Sequence, residues 1–151
     1  MSIRLCVVQR TPSSQASGAP SSSKPTSAPI PASPHRKDVL GRFGEALAVR
    51  HLRDDGMTIL DRNWRCAIGE IDIVARESNT LVICEVKTRS SLRYGSPFDA
   101  VTEAKLHRLE RLGVAWIRDR GVRPSTIRID VLSVLRPSTG ATVVEHVRDL
   151  H

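Results

Sequence analysis

The spacing of hydrophobic positions changes several times along the chain, and each spacing predicts a different element. From Asp38 to Gly56, apolar residues recur every three or four positions on one helical face. This pattern predicts a helix with Asp38 as its N-cap and Gly56 as its stop signal. A second helical pattern begins at Ser96, a candidate N-cap followed by Pro97, and ends at Gly121.

Strand-like patterns fill the chain between and after these helices. They are short segments rich in β-branched residues, bounded by turn-forming residues. The expected strands are 58–63, 68–76, 80–88, 125–135 and 141–147. The sequence therefore predicts the order helix, three strands, helix and two strands.

The second and third strands read as a hairpin around Ser78-Asn79. A two-residue turn there pairs residues whose numbers sum to 157, which sets Asp72 opposite Glu85 and Glu70 opposite Lys87. Because side chains alternate between faces, one face of the hairpin is expected to be wholly apolar. Its members are Ile71, Ile73, Ala75, Val82, Cys84 and Val86.

Charges inside these strands need compensation. Two opposed carboxylates about 5 Å apart repel by roughly 3 kcal/mol at an effective dielectric of about 20. Lys87 is one compensating charge, and a divalent cation held by Asp72 and Glu85 is another. The structural alternative is a half-exposed sheet face with ordinary cross-strand ion pairs.

Three further residues bear on this choice. Lys87 and Lys105 are the two lysines after residue 37, where arginine is otherwise the basic residue. Lys105 lies on the apolar face of its predicted helix, so it either extends to the surface or points into a cleft. Glu45 borders the apolar face of the first helix, from which it either reaches the charged end of the sheet or remains solvated.

Composition separates a tail from the body of the chain. Residues 10–34 hold six of the nine prolines and few large apolar residues, so we expect 1–37 to be disordered and 38–151 to form one domain. The tail carries five basic residues and no acid, whereas the rest has 18 basic and 16 acidic residues. Most of the +7 charge thus lies in the tail, where it either adds weak affinity for a polyanion or is simply solvated.

Other features of the composition bound the functional class. The three cysteines include no CxxC pair, and no His/Cys cluster has zinc spacing. No apolar run approaches the roughly 20 residues that a membrane span needs, and the N-terminal apolar run is too short for a signal peptide. We therefore expect a soluble, cytoplasmic protein without membrane contact.

A helical Glu, a strand Asp and a Glu-x-Lys on the next strand resemble the PD-(D/E)XK nuclease superfamily. More closely, "GRFGEALA", "RNWRCAIGEIDIVA", "EVKTRSSLRYG" and "RIDVLSV" look like the YraN-like family of bacterial proteins, over about residues 38–148. Cys84 and Ile129 depart from the aliphatic residue and the Phe that are usual in that family. The resemblance implies an α/β fold of the restriction-endonuclease type, with an α-β-β-β-α-β core and a mixed sheet flanked by helices.

The resemblance also implies roles for individual residues. Asp72 and Glu85, with Glu45, would bind Mg²⁺ or Mn²⁺, and Lys87 would orient or activate the attacking water. Lys105 would stabilise charge on the phosphate. A likeness to Holliday-junction resolvases within the superfamily suggests DNA of particular shape as substrate. Cutting of a Holliday junction itself would need two sites and hence a homodimer.

Two loops offer contacts for nucleic acid. "TRSSLRYG" supplies Arg89, Arg93 and Tyr94, and "RNWR" supplies Arg62, Trp64 and Arg65; solvated loops around a half-buried Trp are the alternative. DNA is the expected partner, and RNA is not excluded. Two hypotheses follow: a metal-dependent endonuclease, favoured by the opposed carboxylates, and a nucleic-acid-binding module without turnover, favoured by the nearly neutral body.

Overall fold

A computed structural model describes residues 3–8, 36–91 and 101–150, in which six strands and two helices are present. The elements are β1 (Ile3–Val8), α1 (Arg36–Asp54), β2 (Thr58–Cys66), β3 (Gly69–Glu77), β4 (Thr80–Arg89), α2 (Glu103–Arg120), β5 (Thr126–Leu135) and β6 (Thr142–Val147). From α1 onward they follow the predicted order. The expected α/β class and the α-β-β-β-α-β core are confirmed.

The strands form one mixed sheet in the order β1-β6-β5-β4-β3-β2. The β4–β5 pair is parallel and the other neighbours are antiparallel. A parallel pair needs a crossover, and α2 supplies it. Strand β4 lies in the interior of the sheet, so the Glu-x-Lys sequence occupies a central strand.

Each helix covers one face of the sheet. Ala48, Val49 and Leu52 of α1 pack in one buried cluster with inward residues of β3, β4 and β5. Leu109, Leu112 and Trp116 of α2 pack in a second cluster on the opposite face. Interior strands covered on both faces are expected to be apolar on both, and the runs of buried residues in β4 and β5 fit that rule. Neither helix in the described part of the chain is long and apolar enough to cross a membrane.

The hairpin register is confirmed over the residues nearest the turn. Ile73 pairs with Cys84 and Ala75 with Val82, around a turn at Ser78-Asn79 in which Ser78 has a φ of 54°. The prediction that one face of the hairpin is wholly apolar is wrong at Ile71. Ile71 packs on the α2 side, whereas Ile73 packs on the α1 side, so the alternation breaks at Asp72.

Two helix starts differ from the prediction. Helix α1 begins at Arg36, which puts Asp38 inside the first turn rather than at the N-cap; an acid there still favours the helix dipole. Helix α2 begins after Thr102, whose hydroxyl accepts a hydrogen bond from the Lys105 backbone N–H. The expected start at Ser96 is therefore wrong, and Ser96 itself lies outside the described residues. The predicted end at Gly121, with a φ of 65°, is confirmed.

The N-terminal segment contains a strand, β1, that its overall composition did not predict. Strand β1 pairs antiparallel with β6 at the edge of the sheet, within the segment expected to be disordered. Five of its six residues, Ile3, Leu5, Cys6, Val7 and Val8, are apolar. This strand signal was overlooked beside the longer Ser/Pro-rich stretch that follows it. Residues 9–35 lie outside the described part of the chain, so their disorder stays a prediction.

Candidate functional site

Asp72 lies where strands β3 and β4 stop pairing. Ile73–Cys84 is the last backbone pair of this ladder, and next to it the Val86 N–H donates to Asp72 Oδ2 at 2.7 Å. A side-chain carboxylate thus takes the place of a backbone acceptor. The other edge of β4 remains paired with β5 as far as Arg89. The local opening of the sheet exposes polar groups of two strands to one space.

The environment of Asp72 disfavours its charge. Burial, followed by repulsion from Glu85 and a smaller repulsion from Glu45, raises the pKa of Asp72 to about 6. The Val86 N–H and Lys87 act in the opposite direction without cancelling the rise. The predicted proximity of Asp72 and Glu85 is therefore present, with the electrostatic cost that the sequence suggested.

Glu85 is buried and is held by two lysines. Lys87 Nζ lies 2.5 Å from Glu85 Oε1, and Lys105 Nζ lies 2.9 Å from Glu85 Oε2. Of the two orientations considered for Lys105, the structure shows the inward one. Lys105 comes from α2 on one face of the sheet, so Glu85 joins this helix to the central strand.

Glu45 approaches the same region from α1, on the other face. Its Oε2 accepts a hydrogen bond from Asn63 Nδ2 at 3.0 Å and lies 3.8 Å from an Arg62 guanidinium nitrogen. Asn63 has a φ of 51°, a left-handed conformation that Asn tolerates better than most residues. Sequence reasoning missed Asn63, because no local pattern distinguishes it from an ordinary strand residue.

An open cleft of about 650 Å³ brings several of these groups together between α1 and β4. Glu45, Asp72 and Lys87 line it, together with Arg89 at its rim. The remaining lining residues are Leu40, Gly41, Val86, Thr88, Ser90 and Ser91. The cleft is large enough to admit a phosphate group and lies at the polar end of the sheet.

The residues proposed to contact nucleic acid are scattered. Arg62 is beside Glu45 near the cleft, whereas Arg65 pairs with Glu70 at 3.0 Å. The Trp64 indole N–H donates to Asp119 at 3.3 Å and its ring packs on the α2 side, which matches the half-buried alternative. Arg93 and Tyr94 lie outside the described residues. The Arg65 contact also shows that Glu70 pairs with Arg65 rather than with Lys87.

Comparison with known sequences assigns the chain to a protein family. The sequence profile of the uncharacterised protein family UPF0102 matches residues 44–134. The chain belongs to the UPF0102 family. That span includes α1 from Gly44, the whole hairpin, α2 and nearly all of β5, so it covers both lysines and all of the cleft lining except Leu40 and Gly41. The resemblance drawn from the sequence to this restriction-endonuclease-like family is confirmed.

Individual UPF0102 proteins are similar over most of their length. One from Nocardioides sp. is 56% identical over 114 residues, covering 76% of this chain and 92% of the relative. One from Arthrobacter sp. is 57% identical over 112 residues, covering 74% and 95%. One from Parafrankia sp. is 58% identical over 109 residues, covering 72% and 92%. Their shared description gives the family and no activity.

Proposed function

We propose that this protein is a metal-dependent endonuclease that hydrolyses phosphodiester bonds in DNA. The observation that carries the proposal is the meeting of Asp72, Glu85 and Lys87 at the point where β3 and β4 separate, with Glu45 facing the same cleft. Catalysis of phosphodiester hydrolysis needs a cation site, a means of orienting water and access for a backbone phosphate. Each of these needs has a candidate group in the cleft.

The donor set suits a hard divalent cation. Mg²⁺ prefers carboxylate and carbonyl oxygens and retains several waters. Asp72 and Glu45 line the open cleft, and the raised pKa of Asp72 shows negative charge that lacks full compensation. Asp72, Glu85 and Glu45 would hold the ion, which when bound would polarise the scissile phosphate and lower the pKa of water. To bind the ion, Glu85 would have to give up its contact with Lys87 or with Lys105.

Residues of the chain supply the remaining requirements. Lys87 projects from β4 beside Glu85, where its ammonium group can hold a water molecule or stabilise negative charge on phosphate. Lys105 contacts the Glu85 carboxylate from the α2 side, where a bound cation would compete with it. Arg89 at the rim, with Arg62 beside Glu45, would contact the DNA backbone. Arg93 and Tyr94 remain candidates from the sequence alone.

Cleavage of a DNA panel tests the proposal directly. Branched, flapped, single-stranded and duplex DNAs are incubated with Mg²⁺ or Mn²⁺, and products are resolved on denaturing gels. Asp72→Asn and Lys87→Met should each lower the rate by about 100-fold or more. Glu70→Gln is the matched control, because Glu70 is a half-buried acid on the same strand that pairs with Arg65. Equal cleavage by wild type and Asp72→Asn would refute the proposal.

A second candidate function is nucleic-acid binding without turnover. The two lysines on Glu85 favour it, because they neutralise this carboxylate without a metal. Calorimetric titration with Mg²⁺, in the presence and absence of uncleaved DNA, separates the candidates. A nuclease should bind the ion at Asp72 and lose that binding in Asp72→Asn. DNA binding without any metal binding would favour the binding module.

A further inference from the structure

A buried group of ligand-type side chains lies among α1, β5 and β6, apart from the cleft. His51 and Asp55 are one turn apart on α1 and just beyond its end, and His146 comes from β6. The three side chains are each less than a tenth exposed, and that of His146 is fully buried. One nitrogen of each histidine and one Asp55 oxygen lie within 4.8 Å of one another. None of these residues contributes to the proposed nuclease site.

Asp130 fixes the orientation of the His146 ring. His146 Nε2 lies 2.9 Å from Asp130 Oδ2, and both side chains are fully buried. Arg128 donates to both Asp130 oxygens, each at 2.9 Å, so the Asp130 side chain is present as a carboxylate. A carboxylate only accepts, so Nε2 carries the proton. In the neutral imidazole, Nδ1 then presents a lone pair towards Asp55.

This lone pair faces another acceptor. His146 Nδ1 is buried and has no hydrogen-bond partner within the described ranges, and the Asp55 Oδ2 atom stands 3.9 Å from it. Two acceptors facing each other require something electropositive between them. A proton on Nδ1 would fill that role poorly, because 3.9 Å exceeds the length of a hydrogen bond. A metal ion bound to both atoms fits the gap.

The distances suit a four-coordinate transition metal. Bonds of about 2.0–2.1 Å in a tetrahedral site separate the ligand atoms by about 3.3 Å. His51 Nε2 and His146 Nδ1 lie 3.7 Å and 3.9 Å from Asp55 Oδ2, and all three ligand atoms lie within 4.8 Å of one another, so the side chains would have to move closer together to bind an ion. Asp130 on the outer nitrogen of His146 matches the carboxylate–histidine–metal arrangement that orients such ligands.

We propose that His51, Asp55 and His146 form a structural site for a divalent transition-metal ion of the zinc type. The site joins the end of α1 to β6, the partner of the edge strand β1. Arg148 also contacts Asp55 Oδ2, at 3.0 Å. Ligating carboxylates commonly accept such a second hydrogen bond. Arg148 shares its charge with Glu77 at 2.9 Å, which lessens its competition with a cation.

Metal binding to the full-length protein tests the proposal. Protein stripped with a chelator is titrated with Zn²⁺ by calorimetry and examined with Co²⁺ by visible absorption and with Zn²⁺ by X-ray absorption. We expect one Zn²⁺ per chain, a tetrahedral Co²⁺ spectrum, nitrogen and oxygen ligands without sulfur, and a Tm that rises with Zn²⁺ concentration. Absence of Zn²⁺ binding, or sulfur among the ligands, would overturn the proposal.

Variants locate the ion. His51→Asn and His146→Asn should each weaken Zn²⁺ binding about 100-fold or more, and Asp130→Asn about 10- to 100-fold. Circular dichroism is used to check that each variant folds. If the His146 variant does not fold because this side chain is fully buried, the result for His51→Asn decides the test. His107→Asn, at an exposed histidine on α2, is the control with unchanged binding. Unchanged binding in His51→Asn would place the ion elsewhere and refute the site.

Asp72→Asn separates this site from the nuclease proposal. It should abolish Mg²⁺ binding in the cleft and leave the Zn²⁺ stoichiometry at one. Loss of Zn²⁺ binding in Asp72→Asn would show that zinc occupies the cleft, and the proposed site would fail. If the wild-type protein cleaves no DNA but binds Zn²⁺ in a way that depends on His51, the nuclease proposal fails and the zinc-site proposal stands.

Discussion

At the scale of single residues, Asp72 combines poor solvation with two acidic neighbours. Its carboxylate is part-buried, accepts one backbone N–H and faces Glu85 and Glu45. Such a group costs stability whenever it is ionised. Catalytic groups are often found in such destabilising positions, because the function needs the charge that folding would avoid.

Asp72 should therefore make stability fall as pH rises. Its pKa is about 6 in the folded protein against an ordinary value of 3.8, so between these values the folded state binds more protons than the unfolded chain. By linkage, this group's contribution to stability is lost between about pH 4 and pH 6. Asp72→Asn should be more stable than wild type at pH 8, by up to about 3 kcal/mol, and little different at pH 4.

Urea denaturation of both proteins across pH 4–8 measures this difference. Glu70→Gln, on the same strand, is the control, because the largely exposed ion pair of Glu70 with Arg65 is worth less than about 1 kcal/mol. A variant Asp72→Asn that is less stable than wild type at pH 8 would show that the Val86 hydrogen bond outweighs the burial and repulsion.

Lys105 competes with any cation for Glu85. Its ammonium group contacts Glu85 Oε2 at 2.9 Å, and Glu85 is one of the carboxylates that would hold the ion. Replacement by Met frees that oxygen and removes a nearby positive charge. Lys105→Met should bind Mg²⁺ at least about tenfold more tightly, while the apo protein loses about 1–3 kcal/mol because a buried carboxylate keeps only Lys87.

Calorimetry and thermal denaturation, with and without Mg²⁺, measure both effects. Arg108→Met is the matched control, because Arg108 lies on the same helix and donates to the Ile68 carbonyl. Weaker Mg²⁺ binding in Lys105→Met would mean that Lys105 supports the cation site rather than competing with it.

At the scale of elements, the contact between α1 and β4 sets the position of Glu45. A β-carbon built on Gly44 would overlap the Thr88 side chain, so the helix backbone lies directly against the strand. Gly41, one turn earlier, borders the cleft, and a β-carbon there meets no described atom within 4 Å. Close packing against Thr88 therefore requires glycine at position 44, whereas no neighbouring atom requires it at position 41.

Alanine at these positions should have opposite effects. Gly44→Ala should displace α1 and destabilise the fold by about 1–3 kcal/mol through overpacking. Gly41→Ala should stabilise the helix by about 0.5–1 kcal/mol, because Gly is unfavourable inside helices. Urea denaturation compares the two variants, and Gly44→Ala should also lower any cleavage activity by moving Glu45. Equal stability of the two would contradict the close-contact explanation.

At the scale of the whole molecule, a charged network links strands that are distant in sequence. Arg128 on β5 forms two hydrogen bonds to Asp130, each 2.9 Å long, and also contacts Glu77 on β3. Arg148, after β6, joins Glu77 to Asp55 beyond α1. Burial favours the neutral form of Asp130, but hydrogen bonds from His146 and Arg128 hold its pKa below the usual value. Contacts with Arg128, and smaller effects of Arg148, outweigh burial and lower the pKa of Glu77.

Removal of Arg128 should destabilise the whole fold. Arg128→Met leaves the fully buried Asp130 without its bidentate partner, and breaking such a pair costs about 3–5 kcal/mol. Arg50→Met removes an exposed arginine from an i,i+4 pair with Asp54 and should cost less than about 0.5 kcal/mol. Thermal denaturation at pH 7 compares them. A loss for Arg128→Met as small as that for Arg50→Met would refute a structural role for the network.

Local sequence determined most of the elements and the centre of the site. Hydrophobic spacing predicted α1, α2 and five strands, and the Ser78-Asn79 turn set the register that brings Asp72 close to Glu85. These features depend on residues near one another in the chain, so periodicity and turn chemistry are sufficient. The start of α2 was the main error, because Thr102 provides a cap that competes with the earlier Ser96 signal.

Tertiary structure decided which distant groups meet. The contact of Lys105 with Glu85, the approach of Asn63 to Glu45, and the grouping of His51, Asp55 and His146 each join different elements. No local pattern encodes them, because they depend on how the helices cross the sheet and where the β3–β4 ladder ends. The sequence alone thus determined that carboxylates and a lysine would share the hairpin. Packing of α1 and α2 on opposite faces decided which additional charges surround them.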